Sequence, residues 1–500
     1  MSFGEKNMKR LIIIFVLLLA GTASAQEATF SIKELWDDFN YMEKALRELH
    51  PGLYRYQPPT QFDSTLTVTK HEMKDNMSLR DAYAQFSMLI AKIRCEHTVI
   101  VPKANWADTL KRAHFYFPFQ VFSIQGQSYL TFNRSSNQDI HPGDKLLSIN
   151  GRPIKEIIQR IFNHLFSDGY IETLKYQQIH NYMFSYYYNC FIEQADSFQV
   201  QYENANKEVK TVTVPALGMA EMNRNTISNP VNLKMLQAVQ KEKQYSKELV
   251  FNKKKGVAII FLREFFGGSG KEARHKLVEF MDRAMQKIKK SDCKNLVVDL
   301  RHNSGGYDNQ GQVLLSYFIK EPVLYYKSMH TITNSSPFLA YSSISKEDLA
   351  QAKDGLIKQP DGTYLVTPAL NNTLDPVRPS PNRFTGSVYF LIDGATGSTT
   401  AEFTAVAHHL RVGTFVGEET GGNYTGGNGS DYVGLLLPNT KMHLTIPLVY
   451  FQNAVATPLE KGHGTIPDHP VDYTINDLLT GVDKPLEFVY KLISTKRSMQ

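Results

Sequence analysis

Three short apolar runs constrain the fold of this chain more than any other feature: Gly256–Leu262, Leu296–Leu300 and Ser387–Ile392. Each has the length of a strand and is bounded by polar or glycine-containing turns. Between and after them lie amphipathic patterns at helical spacing, over Lys271–Lys290, Gln310–Phe318 and Ala401–Leu410. Strand and helix in regular alternation predict an α/β layer built from βαβ units in the C-terminal half. A last helix over Pro485–Ile493 closes the chain.

Upstream the patterns change. Ser31-Ile-Lys-Glu34 reads as a capping box opening a helix with Leu35, Phe39, Met42, Leu46 and Leu49 on one face, ending at Pro51-Gly52. A second helix begins at Ser78 and runs through Phe86, Leu89 and Ile93 into Cys95-Glu96-His97-Thr98, followed by strand-like residues to Val101. Residues 115–215 carry strand-like segments at Phe115–Phe122, Tyr129–Phe132, Phe198–Tyr202 and Thr211–Val214, around a Pro142-Gly143 turn, a strand Lys145–Ile149 and a tight Asn150-Gly151 turn. This stretch resembles the core of a PDZ domain, although the aromatic insertion Tyr170–Tyr188 is foreign to a minimal one. At 500 residues, two or three domains are expected. The divisions read as 1–25, 26–105, 106–230 and 231–500.

Residues 1–25 read as an export leader. Lys9 and Arg10 precede the apolar run Leu11–Ala20, and Ala23-Ser-Ala25 supplies a small-residue cleavage site. The run is about half the length a bilayer span needs, and no later segment is long and apolar enough. The mature chain is therefore expected to be exported, periplasmic or extracellular, without a membrane span. Cys95, Cys190 and Cys293 are odd in number and suggest no disulfide framework. The net charge of +6 is spread over interspersed residues, and no basic run marks a nucleic-acid footprint.

Two segments of the α/β half carry candidate chemistry. Asn295–Gly306 runs from a buried strand through Asp299-Leu-Arg301 and Asn303 into two glycines, whose backbone N–H groups can face a ligand. Val388–Phe403 is a strand, a glycine-flanked turn bearing Ser398, and a helix whose N-terminus favours developing negative charge. Taken alone, Ser398 reads equally as an ordinary helix cap. Gly267-Gly-Ser-Gly-Lys271 lacks the spacing of a phosphate loop, and His71-Glu72 has no second histidine at helical spacing for zinc. No metal and no cofactor are inferred.

Together, Asp299-Leu-Arg301, Asn303, Gly305-Gly306, the Gly397-Ser398-Thr-Thr-Ala-Glu402 turn, Val416-Gly-Glu-Glu-Thr-Gly-Gly422, Cys95-Glu-His97-Thr98 and Pro458–Asp468 resemble the tail-specific, C-terminal-processing serine proteases. The resemblance implies a protease core of the crotonase-like or ClpP-like type, an N-terminal helical region and a PDZ-like domain. Asn423 stands where one branch of that family has a lysine base, and an amide cannot serve as one. The tricorn-like branch, with a histidine ahead of the PDZ-like segment, is the better match. It implies Ser398 as nucleophile, His97 as base and Glu460 as the carboxylate that orients the ring. Glu418 and Glu419 compete for that last role, and Thr399 competes with Ser398. Glu402, a first-turn acid, reads as support for the helix dipole. The oxyanion hole would be the N–H of Thr399 with that of Gly306 or Gly305. The implied activity is hydrolysis of polypeptide, as an endopeptidase or at C-termini. The alternative is a catalytically inactive ligand- or peptide-binding protein of the same fold.

Overall fold

The structure, a computed structural model, describes residues 29–102, 115–180, 183–241, 245–291, 293–352, 355–458 and 460–498. The expected leader lies outside them. Ser31 caps helix α1 (Ile32–Leu49) as the sequence predicts: its hydroxyl accepts from the Glu34 N–H, and the Glu34 carboxylate accepts from the Ser31 N–H at 2.8 Å. Helix α2 (Pro59–Glu72) escaped the sequence reading because it buries only Phe62, Leu66 and Thr69 and shows little apolar period. Helix α3 (Leu79–Ala91) starts on the Ser78 cap. The chain then turns sharply at Arg94, whose φ is 58°, and enters β1 (Val99–Val101). His97 thus sits at a helix-to-strand junction, as expected.

The middle of the chain forms one antiparallel sheet of β2 (Phe119–Ile124), β3 (Gln127–Asn133), β4 (Lys145–Ile149), β5 (Ser197–Glu203) and β6 (Val209–Pro215), in that order. Asn150 and Gly151, both at positive φ, make the tight turn after β4. The residues between β4 and β5 fold as helices α4 (Ile154–Phe162), α5 (Thr173–Ile179) and α6 (Met183–Phe191). Their aromatic rings fill the core of this unit, with Phe117 lying 5.8 Å from Phe184 and 5.4 Å from Phe198.

The C-terminal half contains the predicted α/β layer. Its elements are β7 (Lys247–Asn252), β8 (Val257–Leu262), α7 (Gly270–Ser291), β9 (Asn295–Asp299), α8 (Asp308–Ser316), β10 (Tyr326–Thr331), β11 (Ser387–Ile392), α9 (Ser398–His409) and β12 (Thr414–Gly417). Strands β7, β8, β9, β11 and β12 are neighbours in that order, parallel from β8 onward, with β7 antiparallel at the edge. The last elements are β13 (Gly426–Leu436), β14 (His443–Asn453) and α10 (Lys484–Ser498). Helices α7, α8 and α9 cover one face of the sheet through Leu277, Met281, Leu314 and Phe403, and α10 covers the other through Val489 and Ile493.

A second sheet was not anticipated. In the hairpin, β13 takes one edge of β14, and the other edge of β14 pairs with β1 near its start and with β10 near its end. Its first strand opens Gly426-Gly-Asn-Gly-Ser-Asp, a composition that disfavours strands, and the register slips between Gly429 and Tyr432. The hairpin buries Val433, Leu435, Leu444 and Ile446 in the same apolar cluster as α1 and α3. The N-terminal helices and the C-terminal half therefore share a sheet and a core, which fixes His97 against the α/β layer.

Candidate active site

Ser398 lies at the carboxyl end of β11, where open α/β sheets place their ligand sites. It is the first residue of α9, and its φ of 48° is unusual for a residue with a side chain. The surrounding turn over-determines that conformation. The Gly397 N–H donates to the Asn303 carbonyl at 3.1 Å, and the Thr396 hydroxyl donates to Leu300 O and to Asp393 Oδ1. The loops after β9 and β11 are thus bonded to each other, and Ser398 is lifted between them.

Glycine is required at 305. Its φ is 102°, and a Cβ there would stand 2.6 Å from the Ser398 Cβ and 3.0 Å from the Thr399 nitrogen. Gly305→Ala is expected to displace the Ser398 turn. The reaction rate of a serine-directed fluorophosphonate should fall at least about a hundredfold, since misplacement of about 1 Å costs that much. Comparison with wild type by timed labelling and mass spectrometry checks this.

His97 Nε2 stands 3.2 Å from Ser398 Oγ, a hydrogen bond between the expected base and the expected nucleophile. Burial lowers His97 to about 4, partly opposed by the Asn428 carbonyl, so the ring is neutral at neutral pH and able to accept a proton. The Thr399 hydroxyl donates to the Gly306 carbonyl at 3.0 Å, so it is already engaged away from the histidine.

Of the three groups expected to form an oxyanion hole, one is occupied. The Gly305 N–H donates to Asn303 Oδ1 at 3.0 Å, while no hydrogen bond is recorded among the described residues for the Gly306 or Thr399 N–H. A cavity of about 390 Å³ opens beside Ser398, walled by Phe265, Phe266 and Tyr432 and reached by Asp308 and Glu402.

The carboxylates fall differently from the expectation. Glu460 is exposed, and among the described residues no bond joins it to His97. Its loop is drawn toward the PDZ-like unit, where Gly462 O accepts from the Tyr170 N–H at 2.7 Å. Glu419 holds His463 at 3.0 Å and the Gly464 N–H at 2.9 Å, and Glu418 lies by Asp393. The acid nearest the ring is Glu96, with Oε1 3.7 Å from His97 Nδ1.

Glu402 also departs from its expected role. It is buried, accepts a hydrogen bond from the Tyr326 hydroxyl, and is pushed well above the carboxylate range by burial and by Asp308. A neutral acid gives the helix dipole no support, and Glu402 instead lines the cavity.

The Asp299-Leu-Arg301 motif is structural. Burial penalises the Asp299 charge, but Arg301 and Arg263 outweigh it and hold the carboxylate at about 2. Arg301 also reaches Asp483 at 2.7 Å, tying β9 to the start of α10. The Cys95 thiol, pushed up to about 12 by burial, is inert.

Residues 256–471 match the model of peptidase family S41, and residues 113–225 match that of the PDZ domain. The chain is a serine peptidase carrying a PDZ domain, and its α/β half matches family S41. No curated protein matches it significantly by sequence. Among solved structures, mature CPAF superposes with a TM-score of 0.62 at 14% identity, over 93% of this chain and 97% of that one. CPAF complexed with lactacystin gives 0.60 at 13%, over 93% and 98%. The photosystem II D1 C-terminal processing protease gives 0.38 at 11%, over 90% and 98%. The CPAF likeness shows a shared fold over nearly the whole of both chains.

Proposed function

We propose that this chain is an exported peptidase that hydrolyses polypeptide, at internal bonds or near C-termini, with Ser398 as nucleophile and His97 as base. The observation that carries the reading is the 3.2 Å contact between His97 Nε2 and Ser398 Oγ, on a strained turn beside a cavity of about 390 Å³. The charged, apolar and small-residue order of residues 9–25 supports export.

The reaction follows from the positions of the groups. His97 Nε2 takes the hydroxyl proton as Ser398 Oγ attacks the scissile carbonyl carbon. The carbonyl oxygen becomes an oxyanion, received by the N–H groups of Thr399 and Gly306 at the positive end of α9. The imidazolium then gives its proton to the leaving amine, and the C–N bond breaks to leave an acyl-enzyme. Water, deprotonated by His97, attacks the ester and releases the carboxylate product, and the proton returns to Ser398. The cavity receives a substrate side chain while Ser398 reaches the adjoining bond.

A fluorophosphonate probe tests the reading. Wild-type protein is expected to be labelled once, on the peptide containing Ser398, and to lose cleavage of unfolded protein in step with labelling. Absence of labelling, or labelling at another residue with activity retained, would overturn it.

A further inference from the structure

Glu96 and His97 are adjacent in sequence, where side chains usually diverge. Here the 3.2 Å bond from the Thr98 N–H to Cys95 O closes a turn with both at its centre, and the two side chains meet. One oxygen, Glu96 Oε1, then meets both halves of the reactive pair. It accepts from the Ser398 N–H at 3.2 Å and lies 3.7 Å from His97 Nδ1. That ring nitrogen is buried and makes no well-formed hydrogen bond among the described residues, although the Asn428 carbonyl acts on the ring. The backbone closes around the carboxylate: a Cβ on Gly422 would lie 3.3 Å from Oε1, and one on Gly397 3.5 Å from Oε2.

Near Glu96 stands a buried acid, Asp168, from the segment between α4 and α5 of the PDZ unit. Its Oδ2 accepts from the Asn423 N–H at 3.2 Å, and its Oδ1 is buried without a partner among the described residues. The same segment is bonded to the strand of chain ahead of Glu96, with the Gly169 N–H donating to Arg94 O at 3.0 Å. Arg55 supplies positive charge on this side. It donates to Asn423 Oδ1 and Thr425 Oγ1 at 3.1 Å each, and its charge draws Asp168 down against burial. Around the two acids the titratable or charged groups are His97, Arg55, Tyr56, Cys95, Tyr432 and Glu402.

We infer that Glu96 is the positioning residue for both Ser398 and His97, its charge tuned by Asp168 of the PDZ unit, which Arg55 of the N-terminal region in turn offsets. The inference rests on the Ser398–His97 reading. When His97 takes the proton, its Nδ1–H faces the carboxylate, and a small ring movement closes 3.7 Å to a hydrogen bond in a site shielded from water. The bond to the Ser398 N–H meanwhile holds the strained turn. Burial and the nearby Asp168 charge push Glu96 up to about 8, partly opposed by the Ser398 N–H, so its charged form is favoured most when the imidazolium stands beside it.

Four variants test this: Glu96→Gln, Glu96→Asp, Asp168→Asn and Glu460→Gln, each measured for melting temperature, kcat, KM and pH profile on one peptide substrate. Glu96→Gln is expected to lower kcat about a thousandfold or more with little change in KM, as carboxylate-to-amide changes behind a catalytic histidine do. Glu96→Asp should restore part of the loss. Asp168→Asn removes a neighbouring negative charge, so Glu96 ionises more readily and the acid limb of kcat should move to lower pH. A purely structural role would lower the melting temperature and leave that limb in place. Near-normal kcat in folded Glu96→Gln, an unmoved acid limb in Asp168→Asn, or a loss confined to Glu460→Gln would overturn the inference. If Glu96→Gln does not fold, the Asp168→Asn profile decides. Should wild type fail to label at Ser398, the serine-peptidase reading falls and takes this inference with it; labelling of wild type with normal kcat in Glu96→Gln defeats this inference alone.

Discussion

Ser398→Ala is expected to lose turnover by about a millionfold, the scale on which removal of a serine nucleophile acts, while remaining folded. That loss corresponds to about 8 kcal/mol of transition-state stabilisation. The fold should be indifferent because the hydroxyl's recorded partner is His97 at 3.2 Å, and the backbone N–H of residue 398 keeps its bond to Glu96. Thr399→Ala is the control. Its hydroxyl is bonded to the Gly306 carbonyl at 3.0 Å, so its loss should loosen the oxyanion loop and slow the enzyme far less. Cleavage of an unfolded protein, followed over hours with melting curves in parallel, reads both. Retained activity in Ser398→Ala beside a dead Thr399→Ala would move the nucleophile by one residue.

His97→Ala should cost about as much as Ser398→Ala, and the double variant should be no worse than either single one. Nucleophile and base act as a unit: a hydroxyl without its base is nearly inert, and a base without its hydroxyl has no proton to move. Among the described residues, the contact between them is the one hydrogen bond from the N-terminal region to the Ser398 hydroxyl, so the test also asks whether that docking is catalytic rather than architectural. Kinetics of the two single variants and the double variant on one substrate form the cycle. Additive losses in the double variant, or activity in His97→Ala within about tenfold of wild type, would mean another group takes the Ser398 proton.

The nucleophile turn was legible because its causes are local. An apolar strand, a glycine-bounded turn and a helix start follow one another within Val388–Phe403, and the structure joins them as β11, the turn and α9. The capping box at Ser31 was legible for the same reason. What sequence reasoning missed depends on chain geometry at a distance. Glu96 was visible beside His97, but adjacency suggests opposite faces, and the two meet at the centre of a turn closed by the Thr98 N–H and Cys95 O. Glu460 sits in a motif that implied a place by the ring, yet Gly462 is drawn to Tyr170 and leaves Glu460 exposed. Glu402 reads as a first-turn acid supporting the helix dipole until β10 brings Tyr326 against it. The β13 strand was hidden by its own glycines, which are tolerated because β14 pairs with it along most of its length.

The reactive pair is separated by 301 residues of chain, and the strand that clamps β1 beside His97 comes later still, at Thr445. During synthesis His97 is made first, the PDZ unit second, Ser398 third and Thr445 last. A chain released or stalled at any earlier point holds a histidine with nothing to deprotonate, or a serine with nothing to deprotonate it. Such long-range closure is slow to form, and that slowness acts as a safety catch. On the proposed roles, a half-made copy would carry neither a working pair nor the strand that holds it.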